Sequence, residues 1–394
     1  MLSTTSSTVI RPRNTFRVLS NVHVRPHHPL NSAITSPPDT RARLRRHSSR
    51  ARSSSAVCFA TRLPVIFADP SNCGNEVVDA LADEVKGKNV LVTGTSLNGI
   101  GFETARATAK YANLVVITGY NEERLQLSKD ALLRAVPSGN IRTLVLDLSS
   151  LVAVRKAAAE VNAYPETLHV LINNAAATAG VYALTPENFE QQIAAGHIGP
   201  FLFTSLLMPK ILAASESSTY TPRVVFVSSI GHTYSPALDL DDTDEFLRGH
   251  GGPKGSDPNA TPLLRYGQVK AANIMTAKEL AKRAGGRVLA YSLHPGVIWT
   301  NAFAKGLKPE LTAVGLVNAE GKPNEEAGQW KTLSQGAATT LVAAFDPRIR
   351  DHSGTYLDDC VVAEEKIAPH SADPVRTKKL WEKTEDAIGE KFRL

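Results

Sequence analysis

The stretch NVLVTGTSLNGIGFETA, residues 89–105, decides the fold. A short apolar run of strand type enters a turn bearing Gly94, Gly99 and Gly101, and the turn opens a segment with helical periodicity. Glycine permits a tight turn and lets backbone approach a ligand closely. A helix starting just beyond it offers orphan N–H groups and the positive end of its dipole, which suits a pyrophosphate. A plain tight turn reads alike locally. The strand-then-helix context of a βαβ unit is what favours the phosphate loop.

Outward from this stretch the alternation continues. LVVIT, RTLVLD, HVLIN, RVVFVSS and RVLAYSLHPG are apolar runs of strand length, and helix-length segments at 121–136, 150–162, 186–214 and 263–285 separate them. Upstream, Val77, Val78, Leu81 and Val85 form one helical stripe that Gly87 closes; a last helix is expected over VRTKKLWEKTEDAI, residues 375–388. Short apolar strands separated by helices specify α/β architecture: a single Rossmann-type, doubly wound parallel sheet with helices on both faces. One domain is expected over 74–394, with a substrate lid at about 302–335 that carries Phe303, Leu307, Leu311, Leu316 and Trp330. No run approaches ~18 consecutive apolar residues, so no transmembrane segment is expected.

The net charge of +6 belongs to the leader. Residues 1–62 hold eleven arginines, no lysine and one acid, Asp39, and so carry +10; the remainder carries −4. The body therefore gives no charge support for nucleic-acid binding. The leader is Arg- and Ser-rich without apolar periodicity, the composition of a disordered segment and of an organelle transit peptide. A disordered tail, or a stretch absent from the mature protein, reads the same way. Localisation is accordingly cytoplasmic, or mitochondrial or plastid if the leader is a transit peptide. Cys58, Cys73 and Cys360 are too few and scattered for a disulfide framework or a zinc cluster, and no metal is expected.

Residues LRYGQVKAAN, 264–273, place Tyr266 and Lys270 one helical turn apart on one face. With the glycine turn and the strand end VSS at 227–229, this pattern resembles the short-chain dehydrogenase/reductase family, most closely its retinol-dehydrogenase-like and WW-domain-oxidoreductase-like branch. The resemblance covers about residues 85–357. It implies a sheet of seven parallel strands and hydride transfer between NAD(P)(H) and a small apolar alcohol or carbonyl substrate. Ser229 would orient the substrate oxygen and Tyr266 would be the general acid/base. Lys270 would hold the ribose and lower the tyrosine pKa. By the same resemblance Gly94, Ser96, Asn98, Gly99, Ile100 and Gly101 form the phosphate loop, with one residue more than the family spacing. Asp147 and Leu148 meet the adenine. Asn173 and Ala175 belong to an Asn-Asn-Ala motif, and Pro295, Gly296 and Thr300 hold the nicotinamide end.

Where NAD-selective relatives carry Asp after the second strand, this chain has Gly119, followed by Tyr120. Loss of the acid leaves room for a 2′-phosphate within reach of Arg124, so NADP(H) is preferred over NAD(H); a solvated role for Arg124 is the alternative. Gly196 stands where the family carries an Asn that anchors a water near the lysine. Three accounts are open: a water on the local backbone carbonyl, a weakened relay, or a cofactor-binding relative without turnover. Thirty-six residues separate Ser229 from Tyr266, more than in many relatives, and this insert is expected over the rim of the substrate cleft. Monomer and homodimer are both compatible with the sequence.

Overall fold

The computed structural model describes residues 71–177, 181–216, 220–300, 308–313, 315–327, 330–392 and 394. The leader thus lies outside the described residues, as do positions 302–307, 314, 328 and 329 of the expected lid. Ten strands are described: β1 (Asn89–Val92), β2 (Leu114–Gly119), β3 (Ile141–Val145), β4 (Val170–Asn173), β5 (Arg223–Val227), β6 (Leu289–His294), β7 (Val297–Ile298), β8 (Trp330–Lys331), β9 (Tyr356–Asp358) and β10 (Val361–Val362). The central sheet runs β3-β2-β1-β4-β5-β6-β9-β10. Its pairs are parallel except β9 with β10, so seven parallel strands carry one antiparallel edge strand. β7 and β8 form a separate parallel pair. Strand order reverses between β1 and β4, and in open α/β sheets the crevice at such a reversal is where ligands bind.

Strands β1, β4 and β5 are buried at every residue, which is why they read as unbroken apolar runs. One sheet face is covered by α1 (Gly74–Ala80), α3 (Ile100–Thr108) and α4 (Glu122–Ala135), with a later helix over Leu333–Phe345. The other is covered by α5 (Leu151–Asn162), the rod from Gln191 to Glu216, α9 (Pro262–Ala284) and the helix Pro374–Ile388. The first helical stripe is interrupted: Leu81 leaves helical geometry at φ −106°, ψ 19°, and a short α2 (Ala82–Val85) follows. Its apolar residues are nonetheless buried, so the break bends the chain without exposing the stripe.

The helix expected over 186–214 begins at Gln191 and contains a π-helical turn, Ala194–Ile198, between α6 (Gln191–Ile193) and α7 (Gly199–Glu216). By length and apolar composition this rod alone, among the described helices, could cross a membrane; most of it is buried inside the fold as a core helix.

The insert between Ser229 and Tyr266 is built into the body. Leu238, Leu240, Phe246 and Leu247 join the core beneath α9 and the last helix. Its fastening is a buried ion pair. Arg265 and Glu190, each under 5% exposed, meet at 3.0 Å. The guanidinium also donates to the Phe246 carbonyl and to Gln268. Glu190 in turn accepts from the backbone N–H groups of Gln192 and Ile193 at the start of the rod. Removing one partner of such a pair leaves the other charge stranded. Glu190→Ala should lower unfolding stability by about 3–5 kcal/mol in urea, whereas Asp241→Ala, which breaks the exposed pair of the same insert with Lys379, should leave the midpoint almost unchanged.

Candidate active site

The glycine turn packs against the tip of β4. Gly94 has φ +71°, and a Cβ built on it would lie 2.7 Å from the Ala175 Cα. A Cβ on Gly101 would lie 2.4 Å from the Asn174 Nδ2. The Thr93 hydroxyl accepts from the backbone N–H groups of Asn174 and Ala175, and the Asn174 amide donates to the Thr93 and Gly94 carbonyls. The additional loop residue is absorbed at Asn98, which takes left-handed geometry at φ +59°, while Gly99 N–H closes a turn on the Ser96 carbonyl. Ser96 and Asn98 are exposed, and Ile100 is half-buried. Gly99 caps α3 with no side chain on the first N–H groups, so these orphan donors fit an incoming phosphate.

Ser229, Tyr266 and Lys270 are brought together. Ser229 follows β5; its hydroxyl lies beside the Tyr266 ring at Gly231 and accepts from the Gly231 N–H at 3.1 Å. Gly231 lies against the Tyr266 ring, with space for a Cβ only 3.3 Å from the ring edge. Pro262 starts α9 at its first turn and Gly285, in left-handed geometry, ends it; both signals place the Tyr266–Lys270 face on regular helix. The Lys270 Nζ lies 5.5 Å from the Tyr266 ring centroid and donates to the Val227 carbonyl at 2.7 Å.

One electrostatic expectation is corrected. Burial raises the Tyr266 phenol above its ordinary value, and the Ser229 hydroxyl opposes that rise. Lys270 does not pull it down, because burial pushes the lysine itself down to about 8. In the protein alone, desolvation of both groups outweighs their mutual attraction.

Gly196 sits in the π-helical turn. A Cβ there would lie 2.4 Å from the Val269 Cγ1, so Val269 fills the space an Asn side chain would need. His197 is turned into the core, where its Nε2 meets the Thr384 hydroxyl at 2.8 Å, and it does not replace the missing amide.

The remaining predicted residues lie around the same crevice or nearby. Asn173 is buried, donates to Thr204, and leaves its Oδ1 without a hydrogen-bond partner. Asp147 is exposed and accepts from Ser149, while Leu148 is buried. Pro295 and Gly296 (φ +99°) follow β6, with the Lys331 stem packed on Gly296. Thr300 closes this segment half-exposed. Arg124 is exposed on the first turn of α4 and reaches the Tyr120 hydroxyl at 3.5 Å. Sequence reasoning missed His232 and His294, which meet the backbone beside Ser229, and the Arg265–Glu190 pair. In the sequence, only the His of HPG hinted at the first group.

A family profile described as short chain dehydrogenase matches residues 88–238. The Brassica napus protein "Short-chain dehydrogenase TIC 32 A, chloroplastic" is 32% identical over 76% of this chain and 88% of its own length. Mouse retinol dehydrogenase 14 is 31% identical over 77% of this chain and 86% of its own. Among solved structures, an uncharacterized protein from Mycobacterium Paratuberculosis superposes with a TM-score of 0.55 at 26% identity, covering 79% of this chain and 98% of its own. The chain belongs to the short-chain dehydrogenase/reductase family of oxidoreductases.

Two outcomes test the packing and the electrostatics. Gly196→Ala should destabilise the fold by about 1–3 kcal/mol despite alanine's better helix propensity, and Val269→Ala in the same chain should recover most of the loss in denaturant titration. For Lys270 the sign is set by protons: between pH 8 and 10 the unfolded chain keeps a proton that the fold releases, so stability rises with pH there and the penalty is complete below pH 8. Lys270→Met should therefore raise stability at pH 7 by about 1–3 kcal/mol, and the gap to the parent should close as pH is raised toward 10.

Proposed function

We propose that this protein transfers hydride between NADP(H) and an apolar alcohol or carbonyl compound, with Ser229, Tyr266 and Lys270 as its working residues. The observation that carries the reading is the grouping of the Ser229 hydroxyl, the Tyr266 ring and a buried lysine beside the crevice where the strand order reverses. The uncapped start of α3 supports a pyrophosphate on the Gly99–Gly101 backbone. The nicotinamide, when bound, supplies or accepts the hydride.

Each protein group then has one task. Ser229 holds the substrate oxygen by a hydrogen bond. Tyr266 donates its phenolic proton to that oxygen during reduction and takes it back during oxidation. Lys270, with one N–H on Val227, has donors left for ribose hydroxyls, and the charge favouring phenolate would come from the oxidised nicotinamide when bound. Tyr234 and Trp299, exposed on the segments after β5 and β6, support an apolar substrate. Residues 1–62 and the chloroplastic relative support delivery to a plastid.

The cofactor preference rests on Gly119, which has no carboxylate to repel a 2′-phosphate and open space beside it, the nearest atoms to a built Cβ being 3.7 Å away. Gly119→Asp should fit without strain and shift relative affinity from NADPH toward NADH, read by fluorescence titration of both. Activity is tested by following nicotinamide absorbance with a panel of apolar aldehydes, ketones and alcohols. Tyr266→Phe should lose about 10²–10⁴-fold in kcat while binding cofactor normally. Cofactor binding without turnover across the panel would favour the second reading, a cofactor-binding protein in which Gly196 marks the lost relay.

A further inference from the structure

The peptide unit that follows Ser229 is gripped from both sides by histidines. Its carbonyl, on Ser229, meets the His232 Nδ1 at 2.6 Å. Its N–H, on Ile230, donates to the His294 Nδ1 at 3.2 Å. In a trans peptide these two groups point in opposite directions, so the two imidazoles approach from opposite edges.

The proton positions follow. His232 Nε2 accepts from the Ala368 N–H at 3.2 Å, so in the neutral ring the proton lies on Nδ1 and is donated to Ser229. His294 accepts at Nδ1, so its proton lies on Nε2. Burial holds both rings below the usual histidine range and hence neutral. His232 is fully buried and edge-on to Tyr356, their centroids 5.4 Å apart; His294 is buried and ends β6, in register with Asp358 of β9. Neither ring can swing away without opening the core.

We propose that His232 and His294 are positioning residues for Ser229: two neutral imidazoles of opposite tautomer that lock the Ser229–Ile230 peptide and so aim the Ser229 hydroxyl at Tyr266. The proposal rests on the oxidoreductase reading for its kinetic consequence, and on structure alone for its tautomers.

The test uses the full chain, labelled with ¹⁵N-histidine, and assigns the two rings by their loss in variants. Ring nitrogen shifts at pH 7 should show His232 protonated at Nδ1 and His294 at Nε2; the reverse tautomer at either ring overturns the clamp. Asn can reproduce the Nδ1 contact of each ring, accepting through Oδ1 or donating through Nδ2, and Leu cannot. His294→Leu should speed exchange of the Ile230 amide at least tenfold, and His294→Asn should restore it. In turnover, His232→Leu and His294→Leu should lower kcat by ten- to a hundredfold with the cofactor KM unchanged, and the Asn variants should recover most of it. Leu variants with parental kcat would refute positioning even if the tautomers are as stated. Should a Leu variant fail to fold, the tautomers and the Asn variants still decide. Retained turnover in Tyr266→Phe would instead bring down the underlying reading and leave the tautomer result standing.

Discussion

The close approach of the Gly94 turn to the tip of β4 is the constraint on which the rest depends. Two backbones meet where Gly94 has no room for a Cβ against Ala175, and where Gly101 has none against Asn174. Thr93 and Asn174 satisfy the polar groups that this approach would otherwise strand. The start of α3 is thereby held at the reversal of strand order, with its N–H groups facing the crevice. β5 and β6 continue the sheet to one side and deliver Ser229 and the Pro295–Gly296 turn to the same end. A single seam between two loops thus sets the distance between the start of α3 and the Ser229–Tyr266–Lys270 group.

Around Ser229, Tyr266 and Lys270, burial works against charge. A buried ammonium and a half-buried phenol each lose hydration, and only the Val227 carbonyl and the Ser229 hydroxyl return part of it. The pair is poised with a nearly neutral-pH lysine and a reluctant tyrosine. The buried Arg265–Glu190 pair, one residue from Tyr266, works differently. It anchors the insert and the rod to α9, so the helix that carries Tyr266 is fixed at its first turn.

Legibility in the sequence followed locality. The strands could be read because β1, β4 and β5 are buried on both faces and so appear as uninterrupted Val, Leu and Ile. The site could be read where motif spacing mirrors geometry, as with Tyr266 and Lys270 on adjacent turns. What was missed depends on contacts between distant positions. The grip of His232 on Ala368 spans 136 residues, and that of Arg265 on Glu190 spans 75. The sign of the tyrosine shift depends on burial, which residue spacing does not encode. The space that Val269 takes beside Gly196, in the π-helical turn, comes from another helix. The insert's acidic and Gly-Pro composition suggested a rim, but its four apolar residues took it into the core.

The β7–β8 pair, with Trp299 edge-on to Trp330 at 6.0 Å, pins the two ends of the intervening chain side by side next to the Gly296 turn. The entropy of closing that loop is therefore met once, by a fixed clasp. Each doubling of the enclosed length would add only about 0.6 kcal/mol. Within such a clasp the enclosed sequence is thermodynamically cheap to lengthen or rewrite, while the sheet that carries the clasp stays the same.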